Sequence, residues 1–151
     1  MLYEIILPLF AQPNKAASMQ LKNILLVDDD KVFNFLHEKL LRKLNIKANI
    51  HTAENGKAAQ LFLQQLSGKG ESFPEVIFLD LNMPVMDGFQ FLEYSMTTNL
   101  LMNQSTVIVI VTSSLNRMDE EKVKSFGIRY FISKPVTEDV IQNLLREEGL
   151  L

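Results

Sequence analysis

Three unbroken apolar runs, ILLV at 24–27, VIFL at 76–79 and VIVIV at 107–111, most narrowly limit what this chain can fold into. Each is bulky or β-branched, and continuous runs of that length suit strands covered on both faces. Two weaker runs behave differently. In IKANIHTA (46–53), Ile46, Ala48 and Ile50 alternate with Lys47, Asn49 and His51, as at a half-exposed edge. RYFIS (129–133) is short and flanked by polar residues, which fits the other edge.

Segments of helical periodicity separate these runs. Val32, Phe35, Leu36, Leu40 and Leu44 recur at three- and four-residue spacing, with Asp30 placed to cap that helix. A second helix is expected over 55–66, ended by a Ser67–Gly70 loop. A third spans 87–96, and the long connection at 95–105 is read as extending it. A fourth spans 116–126 and closes at Gly127; a fifth spans 137–148 with Thr137 as its cap. Strand then helix, five times over, predicts an α/β fold with a parallel sheet. Three interior and two edge strands favour the order 2-1-3-4-5.

With 151 residues the chain is expected to form one domain, at 21–151, behind an N-terminal extension at 1–20. The apolar stretch LYEIILPLFA is broken by Glu4 and Pro8, is too short to span a bilayer, and lacks the preceding basic residues of a secretory signal. Met19 offers an alternative start. A net charge of −3 leaves no basic footprint for direct nucleic-acid binding. The absence of cysteine rules out disulfides, thiolate metal sites and a Cys nucleophile, and fits a cytoplasmic location.

In an open parallel sheet, ligands bind beyond the carboxyl ends of the strands. Here the first strand ends in Asp28 and Asp29, the third in Asp80, the fourth in Thr112 and Ser113, and the fifth in Ser133 and Lys134. In the order 2-1-3-4-5 these four strands are neighbours, so three carboxylates, a hydroxyl and an ammonium converge on one rim. Clustered acids repel one another unless an oxygen-seeking divalent cation lies among them, and Mg²⁺ (or Mn²⁺) suits such ligands. A cation, a lysine and a hydroxyl beside carboxylates are the equipment of phosphoryl transfer, in which a carboxylate can be the nucleophile. Asp80, ending a central strand, is the best acceptor.

The motifs LLVDDD, VIFLDLNMPVMDG, VIVTSS and YFISKPV, in that order and strand context, resemble the receiver domain of two-component response regulators over about Asn23 to Leu145. The resemblance implies a doubly wound, flavodoxin-like (βα)5 three-layer sandwich. It implies that Asp80 is phosphorylated by a sensor histidine kinase, a phosphotransfer protein or a small phosphodonor. It further implies that Asp28, Asp29, Asp80 and the Asn82 carbonyl hold Mg²⁺, and that Thr112 and Lys134 contact the phosphoryl oxygens. Phe131 falls at the family's aromatic switch position, with Tyr130 on the opposite face of the strand. The expected output is a remodelled surface of the fourth helix, fifth strand and fifth helix, read by a separate effector protein. With little chain beyond the fifth helix, a stand-alone regulator is expected, monomeric or dimerising on phosphorylation, and not an enzyme in its own right.

Some residues have simpler expectations. Asp30 is assigned to capping, and NMPVMDG to a turn beside Asp80. SKP is compatible with a cis Lys–Pro bond. His37 and His51 lack metal-type spacing and are expected at the surface. Two other function classes compete. An Asp-nucleophile phosphohydrolase normally carries D-x-D, but Asn82 stands where its second Asp belongs. An unphosphorylated interaction module of the same fold would have a damaged acidic site, and every key position is filled here.

Overall fold

The structure, a computed structural model of the chain, describes residues 20–102, 104–114 and 116–151. Apart from Gln20, the expected N-terminal extension lies outside the described residues. Five strands, β1 (Asn23–Val27), β2 (Asn49–Ala53), β3 (Val76–Leu79), β4 (Val107–Thr112) and β5 (Tyr130–Ser133), pair in parallel in the order β2-β1-β3-β4-β5. Five helices follow them in turn: α1 (Lys31–Lys43), α2 (Gly56–Lys69), α3 (Gly88–Thr97), α4 (Arg117–Ser125) and α5 (Glu138–Glu147). This is the doubly wound architecture that the apolar runs predicted.

Alternate residues of each inner strand feed opposite faces of the sheet, so the core has two layers. Leu25, Val27, Ile77, Leu79 and Ile110 pack against α2, α3 and α4 through Leu63, Phe91 and Val123. Ile24, Leu26, Phe78 and Val109 pack against α1 and α5 through Leu41, Ile141 and Leu145. Phe131 belongs to the first side and Tyr130 to the second. Register then sets the rim. Val27 pairs with Leu79, Leu79 with Ile110 and Ile110 with Phe131, so Asp28 and Asp80 leave the sheet at one level.

Helix α1 departs from its expected orientation. Its inward line is Asn34, His37 and Leu41, with Phe33, Leu40 and Leu44 partly buried beside it. Val32, Phe35 and Leu36 are more than half exposed instead. Of the apolar series only Leu40 and Leu44 pack toward the core, because the inward face carries Asn34 and His37 where it meets the rim. His37, expected at the surface, is 3% exposed. His51 is half-buried on β2, its ring 4.9 Å from that of Phe62.

Three boundaries also differ. Helix α2 runs on to Lys69, because the left-handed residue that stops it is Gly70 (φ 66°), whose N–H reaches Leu66 and Ser67 carbonyls. Helix α3 ends at Thr97, so it takes in only the first residues of 95–105; Asn99, at φ 53°, turns the chain away. Thr137 occupies the cap position of α5 but makes no side-chain cap bond, so Glu138 and Asp139 complement that helix start. At the amino-terminal rim, the Glu75 carboxylate accepts from the N–H groups of Lys22 and Asn23 at 3.0 and 2.7 Å, fixing the entry to β1.

Candidate functional site

The turn after β1 is built by its own acids. Asp28 Oδ1 accepts from Asp30 N–H at 2.8 Å, and Asp30 Oδ1 accepts from Val32 and Phe33 N–H, capping α1 as expected. The Asn34 side-chain amide donates to the Asp28 carbonyl at 2.9 Å. Asp28 is therefore held from both of its oxygen-bearing groups and is buried, while the neighbouring Asp29 is exposed.

Asp80 is positioned by strand and helix together. Its backbone N–H donates to the Val27 carbonyl, and its Oδ1 accepts from Leu81 N–H at 2.8 Å. The loop beyond it is pinned twice: Gly88 N–H donates to the Leu81 carbonyl at 3.0 Å, and Gly56 N–H of α2 donates to the Met86 carbonyl at 2.8 Å. Asp87 and Gln90 form a reciprocal cap on α3. NMPVMDG is thus a turn, and it holds Val85 at φ 71°, a conformation that costs a β-branched residue free energy.

Lys134 comes from the far side. Its N–H donates to the Thr112 carbonyl at 2.9 Å, and the bond to Pro135 is cis. Its ammonium lies 2.5 Å from Asp28 Oδ2, 3.6 Å from Asp80 Oδ2 and 4.2 Å from the Phe33 ring centre. Thr112 is fully buried, its Oγ1 accepting from Ser114 N–H at 3.2 Å. Asn82 is exposed two residues past Asp80, and Phe131 is half-buried under the β5 rim. The structure therefore gathers Asp28, Asp29, Asp80 and Lys134 directly, and sets Thr112, Asn82 and Phe131 around them.

One oxygen each of Asp28, Asp29 and Asp80 fits within a 4.8 Å span. Such a set of hard carboxylate donors on neighbouring strand ends matches a small oxygen-seeking cation. Burial, and next the charge of Asp28, push the Asp80 carboxyl above its ordinary range, against the opposing pull of Lys134 and two backbone N–H groups. The charged form is thus disfavoured in the folded state. A carboxyl raised in this way subtracts stability above its unfolded pKa, and the deficit shrinks as pH falls through the raised value. Asp80→Asn keeps the acceptor for Leu81 N–H while removing the charge. In chelator-treated protein at pH 7, its thermal midpoint is expected to rise above wild type; calorimetry reads this directly, and a lower midpoint would contradict it.

His37 is the residue that sequence reasoning missed. Its ring packs edge-on against Phe78 at 4.6 Å and Phe33 at 5.5 Å. Burial, with the nearby Lys134 charge second, lowers its pKa to about 4, so it is neutral near pH 7. The available signal was the series Asn34, His37, Leu41 and Leu44, whose helical spacing leads back from the core to the acidic turn.

Comparison with known proteins identifies the family. The response regulator receiver domain family matches residues 24–146. The chain belongs to that family. Two-component response regulator ARR22 of Arabidopsis thaliana is 32% identical over 138 residues, covering 87% of this chain and 89% of that protein. Hybrid signal transduction histidine kinase L of Dictyostelium discoideum is 30% identical over 134 residues, 87% of this receiver chain but only 8% of the kinase. A two-component response regulator from Cytophaga hutchinsonii superposes with a TM-score of 0.77 at 27% identity, covering 86% of this chain and 98% of that one. Receiver domains thus occur both as most of a regulator and as a small part of a kinase. Among the described residues no helix is long and apolar enough to cross a membrane.

Proposed function

We propose that this receiver domain accepts a phosphoryl group on Asp80 in a divalent-cation-dependent reaction and passes the signal to a partner protein. The observation that carries the reading is the gathering of three carboxylates within 4.8 Å, beside the Lys134 ammonium. A donor histidine kinase or phosphotransfer protein fits the acidic mouth; the exposed Val32, Phe35 and Leu36 on the adjoining helix offer it apolar contact.

An Asp80 carboxylate oxygen attacks phosphorus in line; its new P–O bond forms as the donor's bond to phosphorus breaks, and the donor leaves with that electron pair. Asp28, Asp29, Asp80 and the Asn82 carbonyl would hold Mg²⁺, which when bound supplies positive charge to offset the phosphoryl oxygens. Lys134, already shared between Asp28 and Asp80, is within reach of the transferred group. Its ammonium exchanges a carboxylate for a phosphoryl oxygen at little cost in position. Thr112 turns its hydroxyl from Ser114 N–H toward the phosphate, and Phe131 moves into the space released. With no hydroxyl on that ring, the change is read through packing across α4, β5 and α5.

Intact-mass spectrometry after incubation with acetyl phosphate tests the assignment. Wild type with Mg²⁺ is expected to gain one phosphoryl mass; Asp80→Asn, and wild type with chelator, are expected to gain none. An adduct that persists in Asp80→Asn would overturn the acceptor assignment. Rapid donor consumption without an adduct, extended to other phosphoesters, would replace the switch with a phosphohydrolase.

A further inference from the structure

Between α1 and the carboxyl ends of β1, β3 and β4 lies a small, partly open pocket of about 10 Å³, lined in part by Asp28, Asn34, His37, Phe78 and Asp80. At this size it admits one water molecule. Two polar side-chain atoms of its lining residues, Asn34 Oδ1 and His37 Nε2, are buried without a hydrogen-bond partner, and their residues are 8% and 3% exposed. The amide orientation of Asn34 is not arbitrary. The Asp28 carbonyl can only accept, so Nδ2 must face it and Oδ1 must face away from it. Leaving either atom unpaired carries the full desolvation penalty of a buried polar group, which is why buried orphans of this kind recruit water.

We infer that Asn34 Oδ1 and His37 Nε2 bind one buried water behind the acidic pocket, and that this hydrated pair is a positioning element for Asp28 and Lys134. The water donates one proton to Asn34 Oδ1. At His37 Nε2 it accepts from an N–H or donates to a lone pair, whichever tautomer the neutral ring adopts. The Asp28 and Asp80 walls give it further acceptors. Two routes connect the pair to the site. Asn34 grips the Asp28 carbonyl, and the His37 ring supports Phe33, against whose face the Lys134 ammonium rests. The positioning half rests on the reading that Asp28 helps hold a divalent cation; the water itself does not.

The test therefore has two arms, both on the full chain. A high-resolution crystal structure of the chelator-treated protein is expected to show an ordered water within hydrogen-bond distance of both atoms. A dry cavity, or a direct Asn34–His37 bond, would overturn the inference whatever the cation does. In the second arm, Mg²⁺ affinity is read from the concentration dependence of the thermal midpoint for wild type, His37→Leu and His37→Gln. Leucine removes the polar atom, whereas the glutamine amide returns one near the Nε2 position. His37→Leu is expected to weaken Mg²⁺ binding ~10-fold, the scale on which supporting contacts act at metal sites, and His37→Gln to restore most of it. A leucine variant that changes the midpoint without Mg²⁺ but leaves Mg²⁺ affinity intact would reduce His37 to core packing. Failure of wild type to bind Mg²⁺ would sink the cation reading and the positioning half, leaving the crystallographic arm to decide the water.

Discussion

Gly88→Ala is expected to destabilise the protein by about 3 kcal/mol, at the upper end of ordinary overpacking, and to lower its thermal midpoint by roughly 10 °C in a chain of this size. A Cβ at that position would lie 2.4 Å from the Asp80 carbonyl oxygen, 2.9 Å from Leu81 Cα and 3.2 Å from the Asp80 carbonyl carbon. All three are backbone atoms at the end of β3, so no side-chain rotation relieves the clash. Relief requires α3 and the acceptor strand to separate, which strains the Gly88–Leu81 hydrogen bond. Gly68→Ala supplies the control. That position is inside α2 with nothing within 4 Å of an added Cβ, so it should be neutral or stabilising by up to ~1 kcal/mol. Denaturant unfolding of the two variants checks the pair; equal stabilities would show that the loop is looser than its contacts indicate.

The second large effect concerns acid. His37 has a folded-state pKa of about 4 against an ordinary 6.5. Between those values the unfolded chain binds a proton that the folded chain refuses, so stability falls as pH falls through this window. The full loss is about 3 kcal/mol, from ~1.4 kcal/mol per pKa unit. It flattens below pH 4, where the folded ring also takes the proton. Asp80 acts in the opposite sense, gaining stability on protonation, so the wild-type curve alone mixes the two. The difference in unfolding free energy between wild type and His37→Leu, followed from pH 7.5 to 4, isolates the histidine. It should shrink steadily with acidification, and a pH-independent difference would show that His37 titrates normally.

Most of the architecture was legible because its signals were redundant. Three buried strands announce themselves as unbroken apolar runs, and the polar residues that end them can only be rim residues once the strand order is set. Asp28, Asp80, Thr112 and Lys134 were readable for that reason. Helix α1 was misread for a reason that follows from the same rim. Asn34 faces inward because its amide meets the Asp28 carbonyl, and His37 because its ring meets Phe33 and Phe78, which leaves Val32, Phe35 and Leu36 of the apolar series facing outward. Periodicity reports which residues avoid water, and it fails where the interior is itself polar. The end of α2 was misplaced more simply. Ser67 and Gly68 look like a stop, but the left-handed conformation falls on Gly70.

The separation of the two rims divides the chain by what can be edited. Every residue assigned to chemistry sits at or past a carboxyl end, whereas Gly70, Glu71 and Ser72, between α2 and β3, are exposed at the other end of the sheet. The Glu75 carboxylate, which anchors the start of β1, comes after them and need not be disturbed. A peptide spliced between Glu71 and Ser72 lengthens a surface loop, at an entropic cost that grows only slowly with its length. That junction is a port for a reporter dye or a fused domain, one that can watch the acidic site without touching it.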